Sequence, residues 1–140
     1  MSLGVHVLVD LCRRAASQLG PDFDVEVTEL HHRLKVDAPR GTAVRLVEAL
    51  REGRVPSPSV VYGRSGRPGA RPPGEIAVHA LRGGDVIGDH TVHFLGSGER
   101  IELTHRATDR DVFARGALRA AAFVAGKPAG RYGMPDLIGA

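Results

Sequence analysis

The hydrophobic pattern of this chain changes period near residue 20, and that change most constrains the fold. Between Leu3 and Leu19 apolar residues recur every three or four positions, which predicts an amphipathic helix capped by Ser2 and ended by Gly20-Pro21. From Asp24 to Leu30 the period becomes two, with Glu29 on the same face as two valines. This alternation predicts a half-buried β-strand directly after the helix.

The same two periods predict the other elements and the class of fold. They indicate a helix from Thr42 to Arg51, three strands at Glu75–Leu81, Asp85–Leu95 and Arg100–Ala107, and a helix opened by Thr108 and ended by Gly126. Thr108 and Asp111 approximate a capping box. We expect the three consecutive strands to form an antiparallel meander. The chain is therefore predicted to be an α+β domain, with a mostly antiparallel or mixed sheet and helices on one face.

Composition narrows the class of protein further. A chain of 140 residues with 42% hydrophobic and 25% charged residues fits one soluble domain. The one cysteine, Cys12, excludes an internal disulfide and favours a reducing, cytoplasmic setting. Cys12 shares a helical face with leucines and alanines, so we interpret it as a small buried hydrophobe. No apolar stretch is long enough to cross a membrane, so no membrane partner is expected.

Residues 53–74 form the loosest part of the sequence. They hold five prolines, four arginines and a short apolar island at Val60-Val61-Tyr62. The run from Gly63 to Arg71 is typical of RGG-like segments that bind RNA, but it also fits a mobile surface loop within a sheet domain. We favour the loop. The net charge of +3 suits a small polyanion as well as a nucleic acid, and no nucleic-acid partner is expected.

The polar stretch between the first strand and the Thr42 helix is the candidate site. It contains His31, His32 and Lys35, and it leads into the first turn of a helix, where unpaired N–H groups favour anions. Imidazole and ammonium groups at this position suit acid–base chemistry. Adjacent residues of a strand point to opposite faces, so the two histidines are not expected to share a metal ion. The alternative is a solvated basic loop without chemistry.

A dinucleotide-binding fold is not predicted within these 140 residues. The segment Gly96-Ser97-Gly98-Glu99-Arg100-Ile101 resembles the glycine-rich fingerprint but ends in isoleucine. It also lies between two strands, whereas the fingerprint joins a strand to a helix. No Walker motif is present either.

Four motifs carry a resemblance to a known family. The stretch from Glu29 to Ala43 reads Glu-x-His-His-Arg-x-Lys-x-Asp-Ala-Pro-x-Gly-Thr-Ala, which resembles the signature of dihydrodipicolinate reductase. The segments Arg82–Thr91, Glu99–Ala107 and Phe113–Ala117 are similar to further motifs of that family. The resemblance covers nearly the whole chain.

The resemblance implies an activity and a set of site residues. A member of this family delivers a hydride from NADH or NADPH to a cyclic unsaturated dicarboxylate, in the diaminopimelate route to lysine. The resemblance gives His31 as the proton donor or acceptor and Lys35 as a second proton donor. It also implies that His32, Gly41 and Thr42 bind a substrate carboxylate, the last two through donors at the helix start.

This sequence departs from the family pattern in two ways. Arg40 stands where the family usually has serine, and an arginine there would either grip a carboxylate or crowd the pocket. The family's N-terminal Rossmann domain has no counterpart in these residues. The chain opens directly on a helix, so we expect it to be a piece of a longer protein, inactive alone and without its own bound cofactor.

The resemblance also implies how the chain is organised. Residues 1–107 would form a substrate-binding and oligomerisation domain, assembled as a homotetramer. Residues 108–140 would dock on the absent dinucleotide-binding domain, with Arg110 and Phe113 approaching the cofactor. The alternative is a module that binds dicarboxylates or assembles without catalysing a reaction.

Overall fold

The computed structural model describes residues 2–39 and 41–139. Its ten elements follow in chain order: α1 (Leu3–Leu19), a 3₁₀ turn (Gly20–Asp22), β1 (Asp24–His31), α2 (Thr42–Glu52), β2 (Ser59–Tyr62), β3 (Glu75–Arg82), β4 (Gly88–Leu95), β5 (Arg100–Ala107), α3 (Asp111–Val124) and α4 (Met134–Ile138). The predicted α+β class is confirmed, and most predicted bounds agree with these to within a residue. β4 begins three residues later than expected, at Gly88.

One mixed sheet holds all five strands, in the order β2-β3-β1-β4-β5. β1 lies parallel to β3 and antiparallel to β4, so Val27 is paired with both Val78 and Val92. The expected three-strand meander is therefore wrong, because β1 lies between β3 and β4. The valines of β1 are fully buried, and a central strand has both of its backbone edges paired.

The helix ends follow local capping chemistry, with one correction. The hydroxyl of Ser2 accepts a hydrogen bond of 3.4 Å from the backbone of Val5, as predicted for the start of α1. The expected capping box of Thr108 and Asp111 is absent from α3. Instead, the side chain of Asp109 accepts a 2.9 Å hydrogen bond from the Asp111 backbone. An aspartate two residues upstream forms this local bond without the longer reach of a capping box.

Helices α1 and α2 cover one face of the sheet, which we call the covered face. The core between them is built from aliphatic side chains and one phenylalanine: Leu8, Cys12, Ala16, Val25, Val27, Leu46, Val47, Leu50, Ile76, Val78, Val92 and Phe94. Cys12 is fully buried, which confirms its interpretation as a small hydrophobe. Burial raises the pKa of its thiol to about 12.

The opposite face of the sheet, which we call the open face, has no helix packed on it among the described residues. It carries the alternate residues of β1, β3, β4 and β5, which are mostly polar: Glu26, Thr28, Leu30, His79, Leu81, Asp89, Thr91, His93, Glu102 and Thr104. Thr91 and Thr104 share a hydrogen bond of 3.0 Å across β4 and β5. Leu81 is 48% exposed on this face.

The arginine-rich segment 63–74 is tied to the sheet. Arg64 makes two hydrogen bonds of 2.9 Å to Glu26, and Arg71 donates to both Glu26 and Asp24 at 2.9 and 2.6 Å. Burial opposes the charge on Glu26, but hydrogen bonds from Arg64, His79 and Arg71 lower its pKa to about 2. These two guanidinium groups are thus occupied by carboxylates, which favours the surface-loop interpretation over the RNA-binding one.

Helix α3 stands apart from the covered core. Its apolar side chains Phe113, Leu118 and Val124 are exposed by 43%, 72% and 45%. The short helix α4 contacts both α1 and α3, so the tail is anchored to the start of the chain. No helix within the described part of the chain is long and apolar enough to cross a bilayer.

The tightest helix contact generates a prediction about stability. A Cβ at Gly53 would lie 2.4 Å from the Arg13 carbonyl oxygen and 2.9 Å from the Ala16 Cβ, at the crossing of α1 and α2. We therefore expect Gly53→Ala to reduce the free energy of unfolding by about 1–3 kcal/mol, measured by chemical denaturation. Gly83→Ala is the matched control, because its Cβ meets nothing within 4 Å. Equal losses in the two variants would contradict the prediction.

Candidate active site

The candidate site begins with a carboxylate buried on the covered face. Glu29 continues the face formed by Val25 and Val27, yet its residue exposure is only 1%. His31 follows two positions later on the same face, and its Nδ1 is hydrogen-bonded to a Glu29 carboxylate oxygen. A buried carboxylate needs charged or polar partners to offset its desolvation, so its other contacts define the site.

Arg82, at the end of the neighbouring strand β3, is the second partner of Glu29. Its two terminal nitrogens donate to the two carboxylate oxygens at 2.9 and 2.7 Å, in a bidentate pair. Burial by itself would raise the pKa of Glu29, but hydrogen bonds from Arg82 and His31 lower it. Arg82 also donates to the backbone carbonyls of Lys35 and Asp37, at 3.3 and 2.6 Å. One guanidinium group therefore ties the strand ends to the following loop.

The other side of the His31 ring faces strand β4. A Cβ at Gly88 would lie 2.9 Å from Nε2 of His31, so only glycine allows the ring to approach the strand this closely. The rings of His31 and His90 meet edge to face, with centroids 5.1 Å apart and planes at 77°. The His31 side chain is accordingly held on two sides and is 11% exposed.

His90 is the most unusual group of the site. It is 5% exposed, and neither ring nitrogen has a hydrogen-bond partner among the residues that the structure describes. Burial, and then the nearby charge of His31, lower its pKa to about 4. An unpaired buried polar group costs about 1–3 kcal/mol, which phenylalanine at this position would avoid. His105 is its direct cross-strand neighbour on β5.

The loop after β1 presents the remaining predicted residues. The Lys35 ammonium is paired with the Asp37 carboxylate, and the Lys35 backbone N–H donates to the His32 carbonyl at 3.1 Å. The His32 ring has no hydrogen-bond or ion-pair partner within residues 2–39 and 41–139. The Gly83 N–H donates to the His31 carbonyl at 3.0 Å, and the Arg33 N–H donates to the Gly84 carbonyl at 3.2 Å. These two bonds hold the loop against the turn after β3.

The loop ends at the first turn of α2. Gly41 has a φ of +62°, which favours glycine, and Thr42 is the first helical residue. Among the residues that the structure describes, no side chain caps this helix end, so N–H groups of its first turn are available to an anion. Arg40, which the resemblance places beside them, lies outside the described residues.

The structure thus brings His31, Lys35 and their partners together through Arg82, with His32 and the α2 start on the same loop. It does not join Arg110 and Phe113 to this loop, because no hydrogen bond or ion pair in the described chain connects them. Within the described ranges, no group of three or more His, Cys, Asp or Glu side chains is arranged to hold a metal ion.

Sequence reasoning assigned no role to Glu29, Arg82 or His90. One signal was available, because the alternation places Glu29 on a face otherwise made of valines. A carboxylate on such a face needs a buried partner. The partner itself could not be found from the sequence, since Arg82 is 53 residues away and becomes a neighbour only through the parallel pairing of β1 with β3.

These features define an α+β domain in which a hydrogen-bonded histidine–carboxylate pair and an uncapped helix start stand at the two ends of one loop. The family described as "Dihydrodipicolinate reductase, C-terminus" matches residues 4–138. The chain belongs to this family.

Related proteins agree with this assignment. The chain is 59% identical to the 4-hydroxy-tetrahydrodipicolinate reductase of Anaeromyxobacter sp. (strain Fw109-5) and 57% identical to that of Myxococcus xanthus (strain DK1622), over 99% of its length. It spans about half the length of these curated relatives, 53% and 52%. A solved structure, described as "Dipicolinate bound Dihydrodipicolinate reductase from Paenisporosarcina sp. TG-14", superposes with a TM-score of 0.69 at 26% identity. That match covers 88% of this chain and 46% of the other.

The buried His90 predicts a pH dependence of stability. Below about pH 6.5 the unfolded chain takes up a proton on this imidazole, whereas the folded chain does so only near pH 4. Stability should therefore fall as the pH is lowered from about 6.5 to 4, by up to about 3 kcal/mol from this group. We expect His90→Phe to lose this contribution in denaturation curves recorded across that range.

His93→Phe, on the open face, controls for the aromatic replacement itself. If His90→Phe keeps the wild-type pH slope, the neutral buried state of His90 is refuted.

Proposed function

We propose that this chain is the substrate-binding half of a 4-hydroxy-tetrahydrodipicolinate reductase. The complete enzyme would reduce a cyclic dicarboxylate to tetrahydrodipicolinate with NADH or NADPH, in the cytoplasm, on the diaminopimelate route to lysine. One observation carries this proposal. The His31–Glu29 pair and the uncapped start of α2 lie at the two ends of one short loop, in a chain that aligns with half of the reductases it matches.

The start of α2 is proposed to receive one substrate carboxylate. Its first-turn N–H groups and the Thr42 hydroxyl are donors, and Gly41 brings no side chain into the approach to them. His32 and Arg40 would add cationic donors from the same loop. The solved relative is described as dipicolinate-bound, which supports a dicarboxylate as the ligand proposed for this chain.

His31 and Lys35 are proposed as the proton-transfer groups. His31 would give a proton from Nε2 to the substrate and return to a neutral imidazole whose Nδ1–H bonds to Glu29. Lys35, paired with Asp37 in the present structure, would supply a second proton or hold the developing charge. The nicotinamide cofactor, when bound to the complete enzyme, supplies the hydride.

The cofactor is proposed to be held mainly outside this chain. The described residues contain no glycine-rich turn between a strand and a helix, so they do not fit its pyrophosphate by themselves. Residues 108–140 are proposed to dock on a dinucleotide-binding domain, which is supported by the exposed apolar side chains of α3. Arg110 and Phe113 at its start would then approach the cofactor, whereas residues 1–107 bind the substrate.

The open face is proposed to assemble four copies into a homotetramer. This face carries Leu30, the half-exposed Leu81 and a row of threonines, and no helix covers it among the described residues. Such a face suits contact with another sheet.

Calorimetry with pyridine-2,6-dicarboxylate tests the binding half of the proposal. We expect saturable binding to the 140-residue chain, weakened about 10- to 100-fold in His32→Ala and Thr42→Val, because each removes a donor to a charged group. Thr108→Val is the matched control and should bind like the wild type. Absence of binding by the wild type would favour the alternative of an assembly module without substrate.

A kinetic experiment tests the catalytic half. We expect no oxidation of NADH or NADPH by the 140-residue chain alone, and measurable turnover once it is fused behind the N-terminal half of the Anaeromyxobacter sp. relative. His31→Gln in the fusion should lower kcat by about 10²- to 10⁴-fold, the usual contribution of a positioned acid or base. His6→Gln, on α1, is the control. Robust turnover by the isolated chain would contradict the proposal that the cofactor is held mainly outside it.

A further inference from the structure

Glu29 makes one more hydrogen bond to a charged or polar side chain than a purely structural carboxylate needs. Its side chain is wholly shielded from solvent, yet it accepts hydrogen bonds from both terminal nitrogens of Arg82 and from Nδ1 of His31. The fork of Arg82 alone would satisfy the charge of the carboxylate. The additional bond to His31 therefore orders the histidine, and it does so from a group that is itself fixed.

The charge states of this trio follow from hydrogen-bond chemistry. A guanidinium is a donor at every nitrogen, so Glu29 must accept through both oxygens and is held as the anion. An ionised carboxylate has no proton to give, so the hydrogen in its bond to His31 belongs to Nδ1. The neutral His31 ring is then the Nδ1–H tautomer, with its lone pair on Nε2.

Contacts with β4 hold the opposite side of the His31 ring and keep the imidazole from turning away from Glu29. Gly88 leaves room for the ring beside β4, and the rings of His31 and His90 meet edge to face with their centroids 5.1 Å apart. His90 bears no charge at neutral pH, because burial keeps its pKa near 4. The His31 ring is thus held by the Glu29 anion at Nδ1 and flanked by the neutral His90 ring, and 11% of the side chain remains exposed.

We propose that Glu29, anchored by Arg82, is the positioning residue of this site: it fixes the tautomer and orientation of His31 so that Nε2 is the nitrogen that exchanges a proton with the substrate. The role in proton exchange rests on the proposed function, whereas the tautomer is a property of this chain alone. Arg82 acts through Glu29, and neither residue needs to touch the substrate.

The tautomer can be measured directly in the 140-residue chain. Long-range ¹H–¹⁵N correlation spectra of protein labelled at histidine resolve Nδ1 from Nε2 in each of the seven imidazoles. His31→Gln assigns the signal of interest by its disappearance. We expect the neutral His31 ring to be the Nδ1–H tautomer in the wild type, and a finding of Nε2–H would overturn the proposal without any variant.

Two variants locate the cause. In Glu29→Gln the fixed anion is lost, so we expect the Nδ1–H preference of His31 to give way to a mixture of tautomers. Arg82→Lys keeps the charge but loses the fork, and should produce a smaller change in the same direction. Glu48→Gln, which removes an exposed carboxylate paired with Arg45, should leave the spectrum of His31 unchanged. An unchanged tautomer in a folded Glu29→Gln protein would refute the positioning role.

The same samples separate this proposal from the proposed function. Titration with pyridine-2,6-dicarboxylate reports on the anion site of the loop. One outcome is that the wild-type protein has the Nδ1–H tautomer but binds no dicarboxylate. This outcome would overturn the proposed function and the role of Nε2 in it, but it would not contradict the fixing of His31 by Glu29. Binding together with an unfixed tautomer would overturn the positioning role alone.

Discussion

The burial of one carboxylate organises the functional end of this domain. Glu29 occupies a position on β1 that an aliphatic residue would fill, and its charge is compensated by Arg82 from β3 and by His31. The same guanidinium holds two carbonyls of the following loop. Loop closure and the setting of the histidine therefore depend on one electrostatic cluster, and removal of Arg82 would leave the buried carboxylate of Glu29 without its bidentate partner.

Helices α1 to α3 and strands β1, β3, β4 and β5 were predictable from the sequence because each depends on local periodicity and local caps, whereas β2 and α4 are too short to show a period. Ser2, Gly20-Pro21 and Gly53 mark helix ends through chemistry within a few residues. The sheet order was not predictable in this way. The pairing of β1 with β3 and with β4 joins segments separated by the whole of α2 and the arginine-rich loop, and it is decided by burial of the central valines. Nothing local in residues 75–107 shows that another strand separates β3 from β4.

The candidate site likewise has a part that could be predicted from the sequence and a part that could not. His31, His32, Lys35 and the α2 start lie close together in the chain, so the sequence identifies them together, and the resemblance to the family predicts their roles. The groups that set the state of His31 come from other strands. His90 lies beside it only because β4 pairs antiparallel with β1, and Gly88 matters only through the close approach of the ring. These contacts are tertiary, and spacing in the chain does not reveal them.

The exposed side chains of α3 stand on a different part of the molecule from the trio of Arg82, Glu29 and His31. The trio is fixed on strands at the centre of the sheet, whereas α3 contacts the body of the domain mainly through α4. A partner domain that docks on α3, as proposed above, would therefore be joined to this domain through elements that do not hold the trio. Its arrival or departure would leave the hydrogen bonds of Glu29 to Arg82 and His31 in place.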